Sequence, residues 1–555
     1  MKNKILALIT ALLLSLSSLG LFASCAVEEE NGEDVTKANL YVATYNGGIG
    51  RAWLDDAVQR FQDLYADATH FQEGRKGVKI HVDADKDKYS GKELVNKTLN
   101  KDVYLTEGVE YYEYVNAGKV AQINDVVNGS LSAYGESETI KDKLDTTFSA
   151  YLTAKDGNYY MLPFYDGFYG FIYDIELFET KGFYFNKNGD FIRLQNESQR
   201  ADFEAKKSSG PDGDYSTTYD NGLPATYEQF VKLFDQIRLK SCTPLCYAGG
   251  DQDYVDKAFR ALIADYEGYD NLVINYTFSG TAVTLVKEIK ADGTVVTEKL
   301  DINQDNAYEL KRQPGNYYFL DMMEKLFTVD NVGGKWNQTS YSQAQKDFIG
   351  SKYGENVPYA MLTEGVWWEN EAAQGTAFSD NELLYGETRE DRRFGFLPMP
   401  KSDPSRIGEQ QTLLSANSSY CFINKDCSNM ELAKEFLRFL HTDAEMSKFT
   451  AKTGVTRSFS YDISAEDEKN ASAFGKSIIA LRKNAKVVYP YSSLELVINN
   501  SSAFTEERWF LTSIVNDQTR NRPSLAFQDG VADAKTYFNG LYNYHKNSWG
   551  SLIRK

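Results

Sequence analysis

A strand, a glycine-rich turn, a helix and a second strand follow one another between residues 38 and 82, and this succession constrains the fold more than any other feature of the chain. Residues 39–45, Asn-Leu-Tyr-Val-Ala-Thr-Tyr, are β-branched and aromatic enough to read as a strand beginning at Ala38. Asn46-Gly47-Gly48-Ile49-Gly50 reads as a turn and Arg51 onward as a helix. Trp53, Leu54, Ala57, Val58, Phe61, Leu64 and Tyr65 recur at spacings of three and four and put one apolar stripe on that helix. Gly77-Val78-Lys79-Ile80-His81-Val82 supplies the next strand. Strand, helix, strand closes as a parallel pair with the helix across one face, so the spacing predicts an α/β fold.

The alternation continues to the C-terminus. Thr226-Tyr227-Glu228-Gln229 caps a helix with the stripe Phe230, Val231, Phe234 and Ile237, and Ser428-Asn429-Met430-Glu431 opens another with Leu432, Phe436, Leu437 and Leu440. Two stretches break the pattern and read as insertions: the polar residues 186–221, and residues 277–300, where Lys290-Ala291-Asp292-Gly293 looks like a hairpin turn. A chain of 555 residues buries more than one core, so two or three domains are expected.

At the N-terminus Lys2 and Lys4 precede an apolar run from Ile5 to Phe22, followed by Ala23-Ser24-Cys25. Basic residues, a short apolar core and small residues make a secretory signal, and the cysteine directly after them makes it resemble a bacterial lipoprotein signal. The resemblance implies a signal peptide over residues 1–24, cleavage after Ser24 and lipid on the Cys25 thiol, holding the protein at the outer face of the cytoplasmic membrane. Phe22 departs from that pattern, which usually has a branched aliphatic residue there. The competing reading is an uncleaved anchor helix, which Ser15, Ser17, Ser18 and Gly20 make less apolar than a span of about twenty residues requires. Residues 25–37 are polar and acidic and read as a flexible tether.

The formal charge of −19 becomes −21 without Lys2 and Lys4, which makes nucleic acid a poor partner. The remaining cysteines fall in two close pairs, Cys242/Cys246 and Cys421/Cys427, which could bridge in an oxidising compartment or be buried thiols, the latter being expected in a large chain that needs no staples. A zinc site would need the pairs to meet, and no histidine lies beside either. Aromatic residues make up 14% of the chain, with 38 tyrosines and 32 phenylalanines against four histidines. Such a chain packs broad aromatic cores or presents amphipathic faces to a ligand.

Several segments, taken in order, resemble the extracellular solute-binding proteins of ABC transporters, in the sugar-binding group that includes maltose-binding protein. They are Tyr45-Asn46-Gly47-Gly48 before the first helix, Asp102-Val103-Tyr104-Leu105-Thr106-Glu107-Gly108, and Asp156-Gly157-Asn158-Tyr159-Tyr160-Met161-Leu162-Pro163 with the following Tyr169-Gly170-Phe171-Ile172-Tyr173-Asp174. Residues 359–371, ending Gly365-Val366-Trp367-Trp368-Glu369-Asn370-Glu371, then residues 394–400 and residues 431–437 complete the series. The resemblance implies a two-lobed fold of the periplasmic-binding-protein type, each lobe a mainly parallel sheet flanked by helices and joined by crossing hinge strands. Residues 38–155 and 393–455 would form the first lobe and residues 156–392 and 456–555 the second, closing over a ligand by hinge bending. It also implies a carbohydrate ligand, a membrane permease as partner, a monomer, and neither cofactor nor metal.

A sugar presents an apolar face for a ring and a rim of hydroxyls for carboxylates and amides. Carried over from the family, Trp367 is the stacking platform, a core tryptophan being the competing reading, and Trp368 is its core neighbour. Asn46, with the backbone N–H groups of Gly47 and Gly48, would bind hydroxyls unless this is a plain turn, and Glu107 would accept two more. Asp166 and Tyr169 belong to a ring-rich stretch that suits a binding wall or an interlobe core, and Trp336, on Gly333-Gly334-Lys335, is a second candidate platform. A surface glycosidase is the alternative class, needing two carboxyls about 5–10 Å apart, yet no esterase elbow, zinc-protease helix or phosphate loop is present. The same fold holding a peptide, a polyamine or a metal chelate is the third.

Overall fold

The computed structural model describes residues 32–554, apart from residues 252, 253, 255, 354, 355, 417 and 418. The expected signal, Cys25 and most of the tether lie outside the described residues. Among those described, no helix is long and apolar enough to cross a membrane.

The opening unit forms as its sequence dictates. Ala38–Thr44 and Val78–Ala84 pair in parallel along their full length. The helix between them, Ala52–Leu64, buries Trp53, Leu54, Ala57, Val58 and Phe61, while Leu64, its last residue, turns to solvent instead of completing the stripe. Val103–Thr106 joins Ala38–Thr44 in parallel on the other side. Tyr420–Ile423 and Met161–Pro163 then complete a five-stranded sheet, both pairings of Tyr420–Ile423 being antiparallel.

A four-stranded sheet runs in the order Phe394–Leu397, Tyr169–Asp174, Tyr359–Gly365, Thr243–Cys246. Only its last pair is parallel. The mainly parallel sheets expected from the sequence are therefore mixed, and connectivity supplies the reason. Tyr420–Ile423 returns to the first sheet after the chain has left Phe394–Leu397 in the second, and both strands run against the strands they meet. The boundaries expected at residues 156 and 393 accordingly cut these pairings: Met161–Pro163 still belongs to the first sheet, and Phe394–Leu397 to the second.

The crossings are fastened by buried ion pairs. Lys401 Nζ lies 2.7 Å from Asp265 and Arg392 Nη2 2.8 Å from Asp174, with all four side chains at most 2% exposed. Breaking such a pair from one side strands a charge in the interior. The expected hairpin is present as Gly280–Ile289 and Val295–Ile302, with Lys290 and Gly293 bonded across its turn. Cys242, Cys246, Cys421 and Cys427 are free thiols. Burial pushes Cys421 up to about 12, which keeps it protonated and unreactive.

Candidate ligand-binding site

Strands Ala38–Thr44 and Val103–Thr106 end side by side, with Thr44 opposite Leu105. The chain diverging from their carboxyl ends leaves a crevice, as it does in open α/β sheets generally. Here the crevice is a cavity of about 650 Å3 whose lining also draws on residues beyond the end of Tyr359–Gly365 in the other sheet. Gly48 marks where the walls come closest. Its φ of +48° suits glycine, and a Cβ built there would stand 3.4 Å from Glu107 Oε1, 3.6 Å from the Tyr165 hydroxyl and 3.7 Å from Trp367 Cβ.

Rings form one wall. Trp367 lies over Gly365, where any side chain would run into the indole. Tyr169 meets that indole edge-on at 5.0 Å and 86°, Tyr254 meets Tyr169 at 6.0 Å and 90°, and Tyr254 stacks on Tyr341 at 5.5 Å and 9°. Each contact is a geometry that aromatic pairs favour, so the wall is stiff before any ligand arrives. At the far end Tyr151 and Tyr491 stack at 4.9 Å, with Trp509 and Tyr276 beyond them.

Carboxyl groups line the cavity beside this wall, and Glu371 Oε2 lies 3.5 Å from the Tyr254 hydroxyl. Glu107 accepts a hydrogen bond from the Tyr165 hydroxyl, and its pKa is pushed up to about 7, chiefly by burial and then by the nearby charge of Glu371, with Tyr165 and Lys86 pulling the other way. Glu371 and the buried Glu364 are also raised, first by burial, and for Glu364 next by Glu371 itself. Gln345 Nε2 donates to Glu371 at 3.0 Å and lies 3.5 Å from Glu364, joining the two. Lys86 Nζ, 3.8 Å from Glu371, also donates to the Tyr341 hydroxyl at 3.2 Å. This arrangement offers flat apolar faces beside acceptors that a hydroxyl-bearing ligand can donate to. Among the described residues no group of three or more His, Cys, Asp or Glu is arranged to hold a metal.

Of the residues singled out in the sequence, Gly48, Glu107, Tyr169 and Trp367 line this cavity together. The others do not. Asn46 and Gly47 sit in the turn behind it, and the helix starts only at Ala52, so their N–H groups do not crown a helix terminus. Asp166 is fully buried behind the wall, where Arg482 Nε and the Tyr489 hydroxyl each lie 3.5 Å from Oδ2 and burial raises it to about 6. Trp336 packs edge-on against Phe327 at 4.7 Å, its indole N–H donating to Gln528, and it borders a separate cavity. Trp368 is fully buried among Phe348, Phe378, Phe394 and Phe474, the core role expected for it. Tyr45, Lys86, Tyr165, Tyr254, Tyr341 and Glu371 line the cavity without having been singled out. Of these, only Glu371 and Tyr45 fell inside segments that carried the resemblance.

Neither a protein-family model nor a curated protein sequence matches the chain. Solved structures do. The apo form of RafE from Streptococcus pneumoniae is 12% identical over 94% of this chain and 99% of its own, with a TM-score of 0.51. A probable secreted solute-binding lipoprotein from Streptomyces coelicolor is 13% identical over 92% and 100%, with a TM-score of 0.50. The chain has the fold of a solute-binding protein. The GacH receptor of Streptomyces glaucescens, solved unliganded and with acarbose, shares that solute-binding-protein fold at 12% identity over 94% and 99%, with a TM-score of 0.50. At these identities the likeness is one of architecture alone.

Proposed function

We propose that this chain is the solute receptor of an ABC transporter, held at the outer face of the cytoplasmic membrane by lipid on Cys25. In this reading it captures a carbohydrate, an oligosaccharide, between two lobes built on the two sheets, and releases it intact to a membrane permease. The observation that carries the reading is the set of rings Trp367, Tyr169, Tyr254 and Tyr341 lining, together with Glu107 and Glu371, a cavity of about 650 Å3. Stacking surface and hydroxyl acceptors together are what a pyranose needs. The GacH receptor, which shares the fold, is described as a receptor solved in complex with acarbose and an acarbose homolog.

A polyamine is the second reading, since Glu107, Glu110, Glu113, Glu371, Glu506 and Glu507 all line the cavity. Three of the six already have partners: Glu371 has Lys86, Glu506 has Arg260 at 3.0 Å, and Glu507 has Lys257 at 3.3 Å. That pairing favours the neutral ligand. A thermal-shift screen of the mature protein against mono- and oligosaccharides, amino acids and polyamines tests the choice, because a ligand that binds only the folded state raises the midpoint. An oligosaccharide is expected to raise it and to be recovered uncleaved after incubation. A response confined to polyamines, or cleavage at roughly one turnover per second or faster, refutes the reading.

A further inference from the structure

Within the polar insertion, residues 212–220 read Asp-Gly-Asp-Tyr-Ser-Thr-Thr-Tyr-Asp. Oxygen-bearing side chains recur at every second position, Asp212, Asp214, Ser216, Thr218 and Asp220, which is the spacing at which a calcium loop presents its first five ligands. The glycine at the sixth position and the acidic residue at the twelfth are replaced by Thr217 and Leu223. Spacing alone would carry nothing, because most such loops are ordinary turns.

The surroundings of Asp220 are not those of an ordinary turn. Its side chain is fully buried, and Oδ1 has no hydrogen-bond partner. Oδ2 accepts only the Asp212 N–H, at 3.1 Å. The Asp212 carboxylate adds its negative charge to the burial of Asp220. Asn221, one residue on, also buries an Oδ1 without a partner. The backbone folds closely round the carboxyl: Gly210 has φ +66°, and a Cβ there would stand 2.7 Å from Asp220 Oδ2. A buried carboxylate with a free oxygen costs several kcal/mol unless it takes up a proton or a positive charge lies beside it.

We infer that residues 212–220 form a calcium site in which Asp212 and Asp220 supply the charge, and the loop's hydroxyl and carbonyl oxygens complete the shell. The donors are all oxygen, with no histidine or cysteine in the loop, which disfavours zinc. Two carboxylates on a flexible loop suit an ion that takes six to eight oxygens in irregular geometry better than magnesium, which demands a strict octahedron. The Pro211 carbonyl accepts the Gly408 N–H at 3.1 Å, so an ion here would fix the insertion against the segment that follows the crossing strand Phe394–Leu397. This inference is independent of what the cavity binds.

The test uses the mature protein stripped with EDTA. Calorimetric titration with calcium chloride should show one equivalent bound, terbium should luminesce through Tyr215 and Tyr219, and the unfolding midpoint should rise by about 2 °C or more at saturation. Asp220→Asn should weaken calcium binding about tenfold or more and remove most of that rise, with Asp212→Asn acting in the same direction. If the two carboxyls instead share a proton, the wild-type protein will give no binding heat and the same midpoint in EDTA as in millimolar calcium, and the inference falls. That wild-type comparison decides the matter even if the variants fail to fold.

Discussion

Glu107→Gln isolates the electrostatics of the cavity. Folding takes the Glu107 carboxyl from its ordinary value of 4.5 to about 7, mainly by burial. A carboxyl raised in the folded state lends its full stability below the unfolded value, and that stability is lost as pH climbs through the folded one. The whole shift corresponds to about 3 kcal/mol at 1.36 kcal/mol per unit, and partial exposure to solvent reduces this to about 2. Glutamine keeps the shape and the hydrogen bond with Tyr165 but never ionises. The variant should therefore match the wild type at pH 4.5, then gain on it by about 2 kcal/mol by pH 8, with most of the change between pH 5 and 7. Urea unfolding followed by tryptophan fluorescence at four pH values reads the difference directly. A stability difference that stays constant across that range would refute the argument, since Glu107 would then be ionising as it does in water. The same logic gives the sign for ligand binding. Hydroxyls donating to the carboxylate lower its pKa, so binding near neutral pH should release protons and tighten as pH rises to about 7.

Three further outcomes follow from burial. Trp367→Ala should cost about 2 kcal/mol of ligand affinity by titration calorimetry, and stability as well, because the ring is only 8% exposed and serves both wall and core. Trp336→Ala should cost about 3–5 kcal/mol of stability in urea and leave affinity for that ligand unchanged, since its ring packs on Phe327 away from the cavity. Asp265→Asn should cost about 3–5 kcal/mol in the same assay, because it leaves the Lys401 ammonium buried without its partner.

Local periodicity made much of this legible. The unit between residues 38 and 82 could be read because each of its signals, turn, stripe and strand, is complete within a few residues. Gly48, Glu107 and Trp367 were reached through the resemblance, not through local periodicity, and each stands just past the end of a strand. Strand direction in the second sheet was not legible, because the partner of Tyr169–Asp174 is more than two hundred residues away and nothing local states how it runs. Tyr254 and Tyr341 were hidden by abundance, two among 38 tyrosines, since only tertiary contact with Tyr169 distinguishes them. Trp336 misled because a glycine-rich loop suggests openness. Gly249 instead lets a second stretch of backbone come close enough to seal the indole in.

Placing Tyr420–Ile423 between Val103–Thr106 and Met161–Pro163 has a consequence for how the molecule is made. The two neighbours leave the ribosome about 310 and about 260 residues before the strand that joins them. At roughly 5–20 residues per second the edge of Val103–Thr106 waits for on the order of 15–60 s with its hydrogen bonds open. Until then the first sheet is a three-stranded fragment whose exposed flank attracts any other strand. The chain thus cannot mature from its N-terminus forward; its first core closes late, after the second sheet is entirely synthesised. A delay of this kind makes truncation anywhere before Ile423 as damaging to the beginning of the protein as to its end.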